Sequence, residues 1–222
     1  MLLFYRKLLI IAYFSLQLIV GLGRAQSPGN TCKSLIYCDG DLLRTIQLNE
    51  LFNDSKTFVD MPTKFDEQTI VKRFVNFNLS SSTNKSLLMK FVDDHFHPAG
   101  FDLVRAEPTD WTPNPSFLKN LNDSNLIEFG EMLNVKWKHL LRRFDKSKLC
   151  DNCSTTAIDT KNPFVVPGGR FIEYYYWDTY WVIDGLLGSD MIRTARDIIE
   201  NFLEIVKENG FVPNGARIYY LN

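Results

Sequence analysis

Apolar residues return at helical spacing in segment after segment of this 222-residue chain, and nothing else in it restricts the fold as tightly. Side chains at i, i+3, i+4 and i+7 share one face of an α-helix, so each stripe must be covered by another element. The spacing predicts helices over Asp41–Phe52, Asp66–Phe77, Ser86–Phe96 and Asp123–Arg142. In the last of these Leu126, Ile127, Phe129, Leu133, Trp137, Leu140 and Leu141 are spaced for burial. A short helix is expected at Asp178–Gly185. A long amphipathic one follows from Met191 through Val206, with Ser189 as its cap and Asn209-Gly210 as its stop. Pro98, Pro108, Pro113 and Pro115 mark 98–120 as a long ordered loop. About six helices with short connections imply an all-α assembly, not a parallel sheet. The closing Ile218, Tyr219, Tyr220 and Leu221 carry no polar tail and read as interior positions.

The start of the chain has a different job. Arg6 and Lys7 precede an apolar run from Leu8 to Leu22, with small residues at Gly21, Gly23 and Ala25. That is the layout of a signal peptide spanning residues 1–25 and cleaved near Gly23 or Ala25. A retained membrane anchor is the alternative, but about 15 apolar residues are short for a bilayer. Five Asn-x-Ser/Thr sequons, at Asn53, Asn78, Asn84, Asn122 and Asn152, favour a glycosylated, secreted protein. Four cysteines in an oxidising compartment suggest two disulfides with three open connectivities, of which the local Cys32–Cys38 and Cys150–Cys153 pairing is preferred. Cys150-Asp-Asn-Cys153 also has a redox or zinc spacing, though no second tight pair completes a zinc ribbon. Lys+Arg 25 against Asp+Glu 26 offers no electrostatic drive toward nucleic acid.

Residues 167–181 carry the chemistry. Fifteen positions hold two glycines, Arg170, the carboxylates Glu173 and Asp178, and seven aromatic rings. Burying those charges among rings is costly unless they pair with each other or with a ligand. Aromatic faces interleaved with charged hydrogen-bond partners suit a sugar, which offers apolar C–H faces and a rim of hydroxyls. Glycoside hydrolysis commonly uses two carboxylates, and Glu173 with Asp178 is the tempting pair. Hydroxyl acceptors or structural ion pairs beside Arg170 are the stronger alternative. Gly168-Gly169 lets the backbone take unusual angles or approach a ligand. His95 and His97 with Asp93 and Asp94 could form a metal site, with a plain helix surface as the alternative. No serine has a Gly-x-Ser-x-Gly setting.

The run from Pro167 to Tyr180, Pro-Gly-Gly-Arg-Phe-x-Glu-x-Tyr-x-Trp-Asp-x-Tyr, matches the first signature of the trehalases. Ile36-Tyr-Cys-Asp-Gly40, Asn53-Asp-Ser-Lys-Thr-Phe-Val-Asp-Met61, Gly210-Phe-Val-Pro-Asn-Gly215 and Tyr219-Tyr-Leu221 agree with it. From about residue 28 onward the chain resembles the secreted or membrane-anchored animal form, as in insects.

The resemblance implies the N-terminal part of an (α/α)6 barrel, over residues 26–222, that hydrolyses α,α-trehalose to two glucose molecules with inversion and without cofactor or metal. It implies that Arg170 holds sugar hydroxyls, Trp177 packs on a ring face, Asp178 accepts from hydroxyls and Asn214 adds an amide contact. Glu173 and Tyr180 belong to the signature in supporting roles. The family pattern continues past Tyr-Tyr-Leu with Arg-Ser-Gln-Pro-Pro, the general-acid aspartate, a second signature and the general-base glutamate. None of these follows before Asn222, so the resemblance implies no catalytic residue within this chain and no hydrolysis by it alone. Any membrane association is then expected only through a C-terminal segment that these residues lack. The alternative is a truncated, non-catalytic product that binds sugar or regulates a partner.

Overall fold

In the computed structural model, which describes residues 32–77 and 84–221, helices begin where short polar side chains can cap them. Asp66 accepts from the Thr69 amide, Asn84 from the Ser86 amide, and Asp123 from the amides of Asn125 and Leu126. The expected leader over 1–25 and the sequon at Asn78 lie outside the described residues. The asparagines of the other sequons, Asn53, Asn84, Asn122 and Asn152, are exposed.

Among the described residues there are seven α-helices. The first four are α1 (Asp41–Leu48), α2 (Lys56–Val59), α3 (Glu67–Asn76) and α4 (Lys85–His95). The remaining three are α5 (Ser124–Leu140), α6 (Tyr176–Gly188) and α7 (Ile192–Asn209). Three short strands, β1 (Leu103–Arg105), β2 (Leu141–Phe144) and β3 (Phe164–Val165), form an antiparallel sheet in the order β1-β2-β3. Leu103 faces Phe144 in register, and Leu141 faces Val165.

The chain is therefore α-rich, and the sheet corrects the all-α expectation. Two misreadings explain it. The proline-marked stretch 98–120 contains β1 and a 3₁₀ turn at Ser116–Asn120, and Leu141 and Arg142 belong to a strand where a helix end was expected. Leu141 then fills the core as part of the sheet. The helix expected over Asp41–Phe52 stops at Leu48, and the short α2 follows it. α6 is longer at both ends than Asp178–Gly185. The α7 stop is as expected, with Gly210 in the left-handed region at φ 82°. Its start is not: Ser189 accepts from the Trp137 indole, and the Asp110 carboxylate takes the Thr194 amide and hydroxyl instead. A cap supplied from 84 residues away leaves no local signal.

Two apolar cores result. One gathers Ile36, Tyr37, Leu42, Ile46 and Phe58 with the inner faces of α3 and α4. The other is built on the sheet, α6 and α7, and takes in Ala216 and Leu221 near the end of the chain. α5 is the exception to the burial its stripe foretells. Leu126, Phe129, Met132 and Leu133 are 50–55% exposed, so each withholds much of the roughly 1.5–3 kcal/mol that full burial contributes. α5 does meet α6 closely at one point, where a Cβ on Gly185 would lie 2.8 Å from the Trp137 ring. No described helix is long and apolar enough to cross a membrane.

The cysteines pair locally, Cys32 with Cys38 and Cys150 with Cys153, as preferred from their spacing. That removes the redox and zinc readings of Cys150 and Cys153 in this state. The Asp-Asp-His-Phe-His run does not converge on a common point. His95 is buried, stacks on Phe91 and shares a 2.7 Å contact with the Phe91 carbonyl, while His97 stacks on Phe101. Asp94 pairs with Lys90 on the surface.

Candidate functional site

The Pro-Gly-Gly-Arg segment is a tight turn. Gly168 and Phe171 exchange backbone hydrogen bonds, at 3.1 and 3.3 Å, around the central residues Gly169 and Arg170. Gly168 and Gly169 have φ of 104° and 60°, a region L side chains rarely adopt. Nothing lies within 4 Å of where a Cβ on Gly169 would sit, so the backbone angle and not crowding demands glycine there. The turn pushes Arg170 outward. Its side chain is 59% exposed, pairs with the Asp54 carboxylate and lies over the Phe171 ring at 4.9 Å. The hydrogen bond between them raises the Arg170 pKa and holds the Asp54 carboxyl below its ordinary value.

Three residues on, the chain turns inward. Glu173 is fully buried and takes a hydrogen bond from the Tyr175 hydroxyl. Lys56 of α2 reaches the same carboxylate at 2.8 Å and also pairs with Asp60 one turn along its own helix. Arg217, likewise fully buried, lies 3.4 Å from Asp60 and 3.6 Å from Glu173. Two cations and two carboxylates thus face one another where the two cores meet, and buried charges need such balance. Tyr219 donates to Asp60 at 2.9 Å, and Arg217 donates to the Thr156 hydroxyl at 3.2 Å. Burial opposes the charge on Arg217, yet Asp60 and Glu173 outweigh it and raise its pKa. Burial wins at Asp60, whose pKa rises despite Arg217 and Lys56. It also raises the Tyr175 and Tyr219 phenols, helped by the neighbouring carboxylates. These phenols stay protonated and act as donors.

Backbone contacts then fix the rest of the aromatic segment. Tyr176 donates its amide to the Asn214 carbonyl at 2.9 Å, and the Ala216 amide donates to the Tyr174 carbonyl at 3.1 Å. A Cβ on Gly215 would meet the rings of Tyr220 and Tyr175 at 2.8 and 3.1 Å, so glycine is what lets this strand-like segment lie against them. α6 begins at Tyr176 and carries Trp177 and Asp178 in its first turn, where a carboxylate also suits the helix dipole. Trp177 is 72% exposed, and Tyr176, Tyr180 and Trp181 are exposed beside it.

The sequence reading of Glu173 and Asp178 as an acid–base pair meets a clear obstacle. Glu173 is locked in the buried cluster, whereas Asp178 is exposed. Arg170, Trp177, Asp178 and Asn214 all present to the outside, and a backbone bridge brings Asn214 beside the start of α6. Sequence reasoning gave no role to Asp54, Lys56, Asp60 or Arg217. Lys56 and Asp60 are spaced i, i+4, which reads as a surface pair. Arg217 sits in an apolar run, and a lone cation there was the available clue. Exposed rings, a guanidinium, a carboxylate and an amide on a rigid frame can hold a neutral polyhydroxylated ligand.

Residues 50–222 match the model of the family described as Trehalase. The chain is similar to a trehalase of Dictyostelium discoideum, 48% identical over 195 residues that make up 86% of this chain and 33% of that protein. A trehalase of Tenebrio molitor is 41% identical over 97% of this chain and 38% of its own length. One of Homo sapiens is 40% identical over 91% of this chain and 35% of its own length. The chain spans about a third of the length of these curated relatives.

Proposed function

Because the chain belongs to the trehalase family, we propose that it forms the sugar-holding wall of an enzyme that hydrolyses α,α-trehalose to two glucose molecules with inversion. The observation that carries this reading is the exposed set Arg170, Trp177, Asp178 and Asn214 on a frame pinned by buried charges. Arg170 donates to sugar hydroxyls through its planar fork, Trp177 packs on the C–H face of a glucose ring, Asp178 accepts from hydroxyls, and the Asn214 amide does both. Inverting hydrolysis needs a carboxylic acid at the glycosidic oxygen and a carboxylate holding water on the opposite face. Glu173, buried against Lys56, can do neither, so the wall binds and other residues transfer protons.

On this reading residues 26–222 form the N-terminal part of an (α/α)6 barrel, and the uncovered stripe of α5 is a face that barrel neighbours would pack against. The leader at 1–25 and the exposed sequons fit export through the secretory pathway. Titration calorimetry with trehalose tests the proposal. The 222-residue chain is expected to bind without releasing glucose, and Arg170→Gln to weaken binding by about tenfold. Absence of saturable binding, or equal affinity in Arg170→Gln, contradicts it.

A further inference from the structure

Asp54 has no role in the reading just given, yet it is the residue that holds Arg170. Its carboxylate is divided. Oδ1 accepts the Lys56 amide at 3.0 Å, and Oδ2 pairs with Nη1 of Arg170 across 116 residues of sequence. The side chain of Asp54 is only 27% exposed while that of Arg170 is 59% exposed, so the carboxylate is the better-fixed partner. What fixes it lies two residues further on, where Lys56 reaches the fully buried Glu173 at 2.8 Å. The Asp54–Asp60 stretch is thus tied to the aromatic segment twice, at its surface through Arg170 and in its interior through Glu173. An arginine at the tip of a two-residue turn has long, freely rotating side-chain bonds and loses their entropy when it binds. A partner that fixes one nitrogen beforehand reduces that loss and leaves the other donors of the fork for hydroxyls.

We propose that Asp54 is a positioning residue for sugar binding, orienting the Arg170 guanidinium from the interior side of the Pro-Gly-Gly-Arg turn. The inference rests on Arg170 being a sugar contact. It adds that the contact is pre-set by a charge from α2's leading turn. The hydrogen bond from Arg170 keeps Asp54 ionised to lower pH than an ordinary aspartate, which keeps the pair formed in mild acid.

Asp54→Asn is the test variant, because an amide oxygen still caps the Lys56 amide while the charge is lost. Two measurements are made on the 222-residue chain. Carboxylate titration by 13C NMR reports whether Asp54 ionises at lower pH than in Arg170→Gln, independently of any sugar. Calorimetry with trehalose reports the dissociation constant in wild type, Asp54→Asn, Asp54→Glu, Arg170→Gln and the Asp54→Asn/Arg170→Gln double variant. The proposal predicts a depressed Asp54 titration that Arg170→Gln restores, and about tenfold weaker binding in Asp54→Asn. It also predicts partial rescue by Asp54→Glu, and no further loss when Asp54→Asn is added to Arg170→Gln. An unshifted titration, or wild-type affinity in Asp54→Asn, overturns it and leaves the binding role of Arg170 intact. Failure of wild type to bind trehalose overturns the functional reading, and this inference with it.

Discussion

At the scale of single residues, the carboxylates of Asp60 and Glu173 lie buried within reach of Lys56 and Arg217. Glu173 and Asp178 are five positions apart in one motif, yet one is fully buried and the other exposed. Nothing in their immediate neighbours separates them. Their partners do, and Lys56 and Arg217 lie far away in sequence. Asp60 shows the consequence for pH. Burial raises its pKa above the ordinary 3.8, so the folded protein binds that proton more readily than the unfolded chain. Its contribution to stability is therefore full below about pH 4 and is lost as pH rises through the folded value. Asp60→Asn is expected to remove this slope from a plot of unfolding free energy against pH, measured by urea denaturation between about pH 3.5 and 7. An unchanged slope would mean that Asp60 is not the titrating group.

At the scale of elements, apolar periodicity located most helices, and the structure shows short polar side chains capping several of their starts. Asp66, Asn84 and Asp123 cap α3, α4 and α5, and Gly210 ends α7. The sheet escaped because strands of two to four residues are too short for alternation to register, and prolines nearby read as loop. The start of α7 escaped because Asp110 serves it from a distant loop. The elements around the site are joined by charge as well as by apolar packing. Arg217 links the 214–217 segment to α2 and to the aromatic segment, so its loss leaves two buried carboxylates facing Lys56 alone. Arg217→Met is expected to destabilise the fold by about 3–5 kcal/mol, read as a lower urea midpoint at unchanged slope. Lys90→Ala breaks the exposed Lys90–Asp94 pair and is expected to cost less than about 1 kcal/mol. Equal effects of the two would remove the structural role assigned to the buried cluster.

At the scale of the whole molecule, two apolar cores meet at an ionic cluster, and the exposed aromatic wall stands on that junction. The wall's composition was legible from residues 167–181, because rings and charges interleaved so densely have few uses besides a polar ligand. The rigidity beneath it was not legible, since it depends on residues 54–60 and 214–217 being brought to the same place. Trehalose binding at Trp177 is the part of the proposed function on which the rest depends. The chain has four tryptophans, each with an indole N–H resonance. Trp111 donates to the Asn134 carbonyl and Trp137 to the Ser189 hydroxyl, so both report the interior, while Trp177 is 72% exposed. The most direct measurement is 1H–15N NMR of the four indoles during titration with trehalose. A saturable shift of the Trp177 resonance, with Trp111 and Trp137 unmoved, is the expected result. A Trp177 resonance that stays in place at saturating trehalose would contradict the account.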